Sequence, residues 1–304
     1  MHQRTSLAVV FAIVFVDLVG FGIVIPILPL YADRFGASPL TVGLLVGIYS
    51  AMQFLFAPVL GKLSDRFGRR PILLVSIIGT AIGFLVMGLA QTLALLFAAR
   101  IIDGITGGNI STALAYIADI TPPEDRSRRM GLVGAAFGMG LIFGPAIGGL
   151  LSHISLGAPF LFAAAMAAAN AVAVYLFLPE SLPAHRRQQA QARPPLAEVL
   201  RSSQGAPLLL ILATYFFTTT AFSLLTATYS LFTQHRFGLG PTQNGYIFAC
   251  QGVIGAVIQG GLLGWLVRFS SDKRLTIAGT AILGLSLFLL PASSPQDSSS
   301  GSLL

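Results

Sequence analysis

Residues 34–43 read RFGASPLTVG, and residues 236–245 read RFGLGPTQNG. Arg, Phe, Gly, Pro and Gly coincide in the two segments at an offset of 202 residues. The same offset pairs Arg66-Phe67 with Arg268-Phe269, so the matches flank equivalent stretches of the chain. Self-similarity at a fixed period indicates a repeated structural unit. The chain is therefore predicted to contain two similar halves.

The stretches between these segments are long and apolar. Of the 304 residues, 55% are hydrophobic and only 10% are charged, whereas soluble domains carry about 25% charged residues. A membrane-spanning helix needs roughly 20 apolar residues. The fold class is therefore predicted to be an all-α polytopic membrane protein. Its nine expected spans cover about 6–30, 40–60, 72–90, 94–117, 131–151, 158–178, 207–233, 243–266 and 275–291.

The basic residues are concentrated on one side of this predicted topology. Fifteen of the 18 Lys and Arg residues fall in alternate connecting segments, namely 1–5, 61–71, 118–130, 179–206 and 267–274. Because cytoplasmic loops retain positive charge, we expect a multi-pass protein of the bacterial inner membrane with a cytoplasmic N-terminus. The net charge of +7 is explained by this topology. No nucleic-acid partner is expected.

The two halves differ in length. Residues 1–178 accommodate a six-helix bundle, 179–206 a charged cytoplasmic linker, and 207–291 only three helices. At the repeat offset, 292–304 should begin a fourth helix, but the segment reads ASSPQDSSSGSLL and is too polar to span. We expect an incomplete C-terminal bundle from a truncated or frame-shifted product that does not transport. A natural nine-helix protein with a polar, Ser-rich tail is the alternative.

Four segments occur in the order typical of one transporter family. They read DLVGFGIVIPILP at 17–29, GKLSDRFGRRP at 61–71, RIIDGITGG at 100–108 and GMGLIFGPAIGG at 138–149. The set resembles the motifs of the major facilitator superfamily, in particular its twelve-helix drug:proton antiporters, which include tetracycline-resistance and multidrug exporters. The resemblance implies a major facilitator fold and alternating access between two bundles. A monomer is expected.

The segment 61–71 is predicted to be a loop that closes a helix hairpin. Glycines there permit close backbone approach and unusual dihedral angles, and its bases lie near the carbonyl end of the second helix. Asp65 is an acid among four bases, so a local salt bridge is one interpretation. The resemblance implies instead that Asp65 helps to latch the two bundles. The predicted gating residues are Gly61, Asp65, Arg66, Gly68, Arg69 and Arg70.

Three charged residues lie within predicted spans. Asp17 is near the middle of the first, where an acid costs about 2.5–3.5 kcal/mol and usually faces a cavity or a partner. It could be a proton site, a charge that orients a cationic substrate, or polar contact between helices. Arg100 and Asp103 share a helix face and could pair. The resemblance implies that Arg100 takes part in proton coupling, with Asp17 or Asp103 as its counter-charge.

The segment 138–149 combines small residues four apart with a proline. Such spacing lets membrane helices approach closely, and proline adds a kink. A hinge or bundle contact is predicted, although Gly and Pro are common in membrane helices generally. In the resembled family this pattern accompanies export rather than uptake. The residues concerned are Gly140, Gly144, Pro145, Gly148 and Gly149.

Aromatic and polar residues within the spans suit a large apolar cavity with a few polar anchors. The candidates for substrate contact are Tyr49, Gln53, Asn109, Tyr116, Tyr215, Phe216, Phe222 and Gln251. Tetracycline exporters carry acids in their third and ninth helices, whereas 72–90 and 275–291 contain none, and Gly255 lies near the position of a histidine typical of the eighth helix. A broader drug or metabolite substrate is therefore favoured over tetracycline–metal export.

Together these features predict proton-coupled efflux of drugs or other small amphipathic molecules, with the proton gradient as energy source and no cofactor. Asp17 would serve sodium coupling equally. The alternatives are a symporter or facilitator for a small metabolite, or an inactive product. No phosphate-binding loop G-x-x-x-x-G-K-[ST], H-E-x-x-H pair or Cys/His cluster occurs in the sequence, which argues against an ATP-driven pump, a membrane enzyme or a metal site.

Overall fold

The computed structural model describes residues 2–122, 126–182, 205–258, 270 and 272–289. Within these ranges the backbone forms ten helices and no strand, so the predicted all-α fold is confirmed. In chain order they are α1 (His2–Asp33), α2 (Pro39–Phe67), α3 (Arg69–Gly88), α4 (Leu93–Thr106), α5 (Asn109–Ile120), α6 (Arg126–Leu151), α7 (Ala158–Phe177), α8 (Gly205–Phe237), α9 (Pro241–Val257) and α10 (Asp272–Leu289).

Five stretches of the described helices are long and apolar enough to cross a membrane. They are Leu7–Asp33, Pro39–Phe67, Arg69–Gly88, Leu93–Ile120 and Ala158–Phe177, with shorter apolar helices at Gly138–Leu151 and Arg274–Ser286. Large apolar side chains remain exposed on their outer faces, including Phe54 at 80% and Phe288 at 81%. Such a surface is stable against lipid tails, because the tails are as apolar as the side chains themselves. Most of the predicted linker and the whole predicted tail lie outside the described residues.

The fourth predicted span is interrupted rather than continuous. A turn at Gly107 and Gly108 separates α4 from α5. The Gln53 side chain of α2 donates a hydrogen bond to the Gly107 carbonyl at 2.7 Å. A Cβ atom on Gly108 would lie 2.8 Å from the Leu60 side chain. The two glycines therefore let α2 approach the middle of this span.

The segment predicted as a loop at 61–71 is mostly helical, which corrects the sequence-based interpretation. Helix α2 continues to Phe67 and α3 begins at Arg69, so Gly68 alone separates them. Gly68 has φ 109° and ψ 159°, a conformation that only glycine adopts readily. Gly61 has no positive φ, and a Cβ there would meet none of the described residues within 4 Å. The expectation of an unusual dihedral angle or close approach at Gly61 was wrong.

Helix α1 occupies the centre of the first six predicted spans. It packs against α6 and α7 and also contacts α2 and α5, while α3 packs against α4 and α7. Its apolar residues form two core clusters, one including Ile23 and Ile27 with Phe84 and Phe160. A buried hydrogen bond of 2.6 Å from the Tyr31 hydroxyl to the Ala90 carbonyl ties α1 to the end of α3. The central position of α1 places Asp17 inside the bundle.

Candidate functional site

Two of the three charged residues predicted within spans form an ion pair in the bundle interior. Arg100 Nη1 donates a hydrogen bond to Asp103 Oδ2 at 3.3 Å, and the two side chains are only 2% and 8% exposed. Both lie on α4 three residues apart, where side chains share one helix face. The Arg100 guanidinium also lies over the Tyr49 ring, 4.1 Å from its centroid, which is a favourable cation–π contact. Helices α2 and α4 together hold this arginine.

Two predicted cavity residues extend this arrangement along α2. Gln53 donates from Nε2 to the Tyr49 hydroxyl at 3.1 Å and to the Gly107 carbonyl at 2.7 Å. The amide therefore connects the aromatic ring beneath Arg100 to the turn between α4 and α5. These contacts fix the orientation of Tyr49, which in turn limits how Arg100 can move.

Asp17 has a different partner. The side-chain amide of Asn109 on α5 donates to Asp17 Oδ1 at 2.9 Å. No salt bridge to Asp17 occurs among the described residues. Of the two counter-charges that the resemblance allowed for Arg100, the structure therefore pairs Asp103. Asp17, Arg100 and Asp103 are called the interior cluster below.

The other candidate cavity residues lie elsewhere. Tyr116 is fully buried and its hydroxyl donates to the Pro179 carbonyl at 2.9 Å, near the end of α7. Phe216 is 62% exposed beside Phe217, and Gln251 is exposed on α9. The side chains of Tyr215 and Phe222 lie outside those that the structure describes. The structure thus brings only Tyr49, Gln53 and Asn109 to the interior cluster.

A second ionic cluster lies where α2 meets α3. Arg69 contacts Asp65 at 2.6 Å and Asp119 at 3.1 Å, and it donates to the Ser64 hydroxyl at 2.6 Å. Asp65, Arg69 and Asp119 are called the Arg69 cluster below. The local salt bridge considered for Asp65 is present, while its role as a latch stays a prediction. Arg66 is exposed and lies over the Phe67 ring at 5.3 Å.

The carboxylate of Glu180 anchors the segment after α7 to this cluster. It accepts hydrogen bonds from the backbone amides of Arg69 at 2.8 Å and Arg70 at 3.2 Å. These amides are the free donors at the start of α3, where a negative charge is favoured by the helix dipole. The Arg70 guanidinium reaches back to the Tyr175 carbonyl of α7 at 2.5 Å. The end of α7 and the segment that follows it are therefore tied to the start of α3.

The Gly-rich helix α6 packs between α1 and α9. Cβ atoms added to Gly140 and Gly144 would lie 2.5–2.6 Å from Leu18 and Val19 of α1. Gly148 also faces α1, with Ile27 at 3.4 Å. Gly149 faces the other way, with the Thr242 carbonyl 3.2 Å from its added Cβ. Only residues without a side chain permit such close helix approach.

Helix α9 contributes matching glycines from the second half of the chain. A Cβ on Gly245 would lie 2.5 Å from the Pro145 carbonyl, and one on Gly252 would lie 2.7 Å from the Leu141 carbonyl. The Thr242 hydroxyl donates to the Gly149 carbonyl at 3.0 Å and contacts His153 Nε2 at 3.1 Å. The segment 138–149 therefore forms a contact between the two halves.

Sequence reasoning missed three polar residues that the fold places at these sites. Asp119 joins the Arg69 cluster, Glu180 caps α3, and Asn170 is buried next to Asp17 among the alanines of α7. Asn170 is the only amide, charged or hydroxyl-bearing side chain between Ala158 and Val174. A lone amide in an apolar span was therefore the available signal.

A separate apolar groove of about 630 Å³ lies between α3 and α7 and contains none of the interior cluster.

Comparison with known proteins identifies relatives of this chain. The chain is 39% identical to the class C tetracycline resistance protein of Escherichia coli, over 95% of this chain and 74% of that protein. It is 30% identical to multidrug resistance protein 2 of Bacillus subtilis (strain 168), over 90% of this chain and 70% of that protein. It therefore spans about three quarters of the length of these relatives.

Solved transporters share the fold. The human organic anion transporter TETRAN matches with a TM-score of 0.68 and 29% identity, over 86% of this chain and 72% of that one. An inward-facing bacterial homologue of the human lysosomal transporter Spinster matches with a TM-score of 0.70 over 90% of this chain and 64% of that one. Its 18% identity makes this a likeness of fold alone. Because the sequence profile of the Major Facilitator Superfamily also matches residues 10–304, the chain belongs to that superfamily of membrane transporters.

Proposed function

We propose that this transporter exports drugs or other small amphipathic molecules in exchange for protons by alternating access. The observation that carries the proposal is Asp17, an acid inside the bundle whose described polar contact is the neutral amide of Asn109. Within a membrane such an acid is costly and usually functional. Arg100 is held by Asp103 and Tyr49, so it does not neutralise Asp17 directly.

Proton exchange at Asp17 would change the charge at one point of the interior while leaving the ion pair intact. Protonation removes the negative charge of Asp17 and allows its carboxyl group to donate a hydrogen bond. A cationic or polar substrate nearby would then meet a neutral rather than a negative side chain. Competition between proton and substrate for one carboxylate is the simplest means of exchange. Tyr49 and Gln53, which lie beside Arg100, are the proposed contacts for such a substrate.

The two halves are proposed to rock about α6 and α9. The glycine contacts between these helices lack interlocking side chains, so the backbones can slide or tilt over each other at low steric cost. The Arg69 cluster lies where α2 meets α3. We propose that it gates the cytoplasmic side of the first bundle. This assignment follows the charge distribution, which favours a cytoplasmic N-terminus.

Everted membrane vesicles test direction and coupling together. An imposed gradient, acidic inside, should drive accumulation of a fluorescent cationic dye or of tetracycline, a substrate suggested by the names of several relatives. Asp17→Asn should abolish this accumulation, and Asp33→Asn, at the end of the same helix, should retain it. Accumulation that ignores the pH gradient would contradict proton coupling, and no accumulation under any gradient would favour the inactive alternative. Uptake in the opposite direction would favour a symporter for a metabolite.

A further inference from the structure

A small cavity adjoins Asp17 inside the first bundle. It is enclosed by α1, α3, α5 and α7, and its polar lining consists of Asp17, Thr80, Asn109 and Asn170. The volume open to the centre of a water-sized sphere is about 10 Å³. About 10–15 Å³ by this measure is needed for a single water molecule. The cavity therefore has room for one small occupant.

Three oxygen atoms on the lining residues need such an occupant. Asn109 Oδ1, Asn170 Oδ1 and Thr80 Oγ1 have no hydrogen-bond partner among the described residues. Their residues are 1%, 6% and 3% exposed, so bulk solvent does not reach them. An unsatisfied buried polar atom costs about 1–3 kcal/mol. The free energy of folding thus favours an occupant of the cavity that satisfies these oxygens.

The charge of the interior cluster identifies the kind of ligand. Asp17 and Asp103 contribute two negative charges and Arg100 one positive charge, which leaves a net charge of −1. No further Lys or Arg joins this cluster among the described residues. A buried charge without compensation is strongly unfavourable. One monovalent cation restores neutrality.

The donor set distinguishes a metal cation from the alternatives. A proton neutralises Asp17 but leaves the cavity empty, and a water molecule fills the cavity but carries no charge. Both are needed together to do what one metal cation does alone. Carboxylate, carbonyl and hydroxyl oxygens are ligands of hard cations. A divalent ion would leave a net charge of +1 on the cluster.

We propose that this cavity is a Na⁺ site formed by the Asp17 carboxylate, the side-chain carbonyl oxygens of Asn109 and Asn170, and the Thr80 hydroxyl. The bound ion neutralises the interior cluster and satisfies the three oxygens at once. Na⁺ and a proton then exclude each other at Asp17. The site does not depend on which substrate is exported or in which direction.

Thermal unfolding of the purified chain in detergent tests the site without transport. Melting temperatures are compared in NaCl, KCl and choline chloride at constant ionic strength. Na⁺ should raise the melting temperature by several degrees, saturably with concentration, and choline should not. Asp17→Asn and Asn170→Ala should each abolish the Na⁺-dependent shift. Ser76→Ala should retain it, because Ser76 carries a buried hydroxyl without a partner in the described part of the chain but does not line the cavity.

Equilibrium dialysis with radiolabelled Na⁺ provides a second measurement should a variant fail to fold. The wild-type chain and Ser76→Ala should each bind one ion, and Asn170→Ser, which keeps a shorter oxygen ligand, should bind it several-fold more weakly. Equal melting temperatures in all three salts would overturn the proposal. A Na⁺-dependent shift that persists in Asn170→Ala would overturn it too. Neither outcome bears on drug export, so the two proposals fail separately.

Discussion

The interior cluster and the Arg69 cluster have the same composition, two aspartates and one arginine, but different geometry. Arg69 contacts both of its acids, Asp65 at 2.6 Å and Asp119 at 3.1 Å. Arg100 contacts only Asp103, at 3.3 Å. The second interior acid, Asp17, accepts its hydrogen bond from Asn109 instead. One cluster is closed by its arginine, and the other leaves an acid without a positive partner.

The two clusters also differ in their exposure to solvent, and this gives the unpaired acid its significance. The acids of the Arg69 cluster are each 21% exposed, whereas Asp103 is 8% and Arg100 2% exposed. Near water an unpaired carboxylate costs little, and yet there the pairing is complete. In the interior an unpaired carboxylate costs much more free energy. A costly arrangement that the fold retains is the expected signature of a functional group.

The largest effect is expected from Arg100→Ala. Removing this guanidinium leaves Asp103 as a second buried acid without a counter-charge, so the free energy of unfolding should fall by about 3–5 kcal/mol. Thermal unfolding in detergent measures the loss. Arg100→Met combined with Asp103→Leu should recover most of the stability without transport. A single variant as stable as the wild type would show that the pair is not desolvated.

Asp17→Asn should separate stability from function. The substitution removes an uncompensated charge, so the melting temperature without Na⁺ should stay level or rise, because an acid at this depth costs about 2.5–3.5 kcal/mol. Proton-driven accumulation in everted vesicles should fall to background. A chain that is destabilised to the same degree as Arg100→Ala would mean that Asp17 is a structural contact. Asp17→Glu serves as the control that keeps the carboxylate.

Arg69→Ala should cost less than Arg100→Ala, although it breaks two ion pairs instead of one. Water can solvate Asp65 and Asp119 once their partner is gone, so a loss of about 1.5–3 kcal/mol is expected, the range for hydrogen bonds to charged groups. The same unfolding assay compares both variants directly. A larger loss for Arg69→Ala than for Arg100→Ala would contradict the argument that water solvates Asp65 and Asp119.

Asp119→Asn should have the smallest effect. This pair is partly exposed, so we expect a change of about 0.2–1 kcal/mol that decreases further at high salt. The corresponding change in the interior, Asp103→Asn, should be larger and insensitive to ionic strength. Melting curves in low and high choline chloride distinguish the two, since choline tests screening without supplying Na⁺. Equal salt dependence would contradict the difference in exposure.

Much of the fold was predictable because its signals are local. Hydropathy located the helices, and the spacing of Arg100 and Asp103 on one helix face allowed their ion pair. The turn at Gly107 and Gly108 was not predicted, since its cause is the approach of Gln53 and Leu60 from another helix. The helical course of 61–67 was missed because a charged stretch was interpreted as a loop.

The candidate site was predicted only in part. Asp17 was identified because an acid in an apolar span is conspicuous by itself. Asn170 was not, because a neutral amide in a membrane helix gains significance only from its neighbours. Tyr116 and Gln251 were assigned to a cavity from residue type alone, and the fold places the first against Pro179 and the second on an exposed face.

By itself the sequence determined that this protein is helical, spans a membrane and carries charged residues inside its first bundle. These properties follow from transfer free energies and from spacing along one helix, which neighbouring residues specify. Only the tertiary structure decided which acid Arg100 neutralises, that Asn109 reaches Asp17 across 92 residues of chain, and that Asn170 completes a cavity beside them. Those outcomes depend on helix packing, which brings together groups that are distant in the chain.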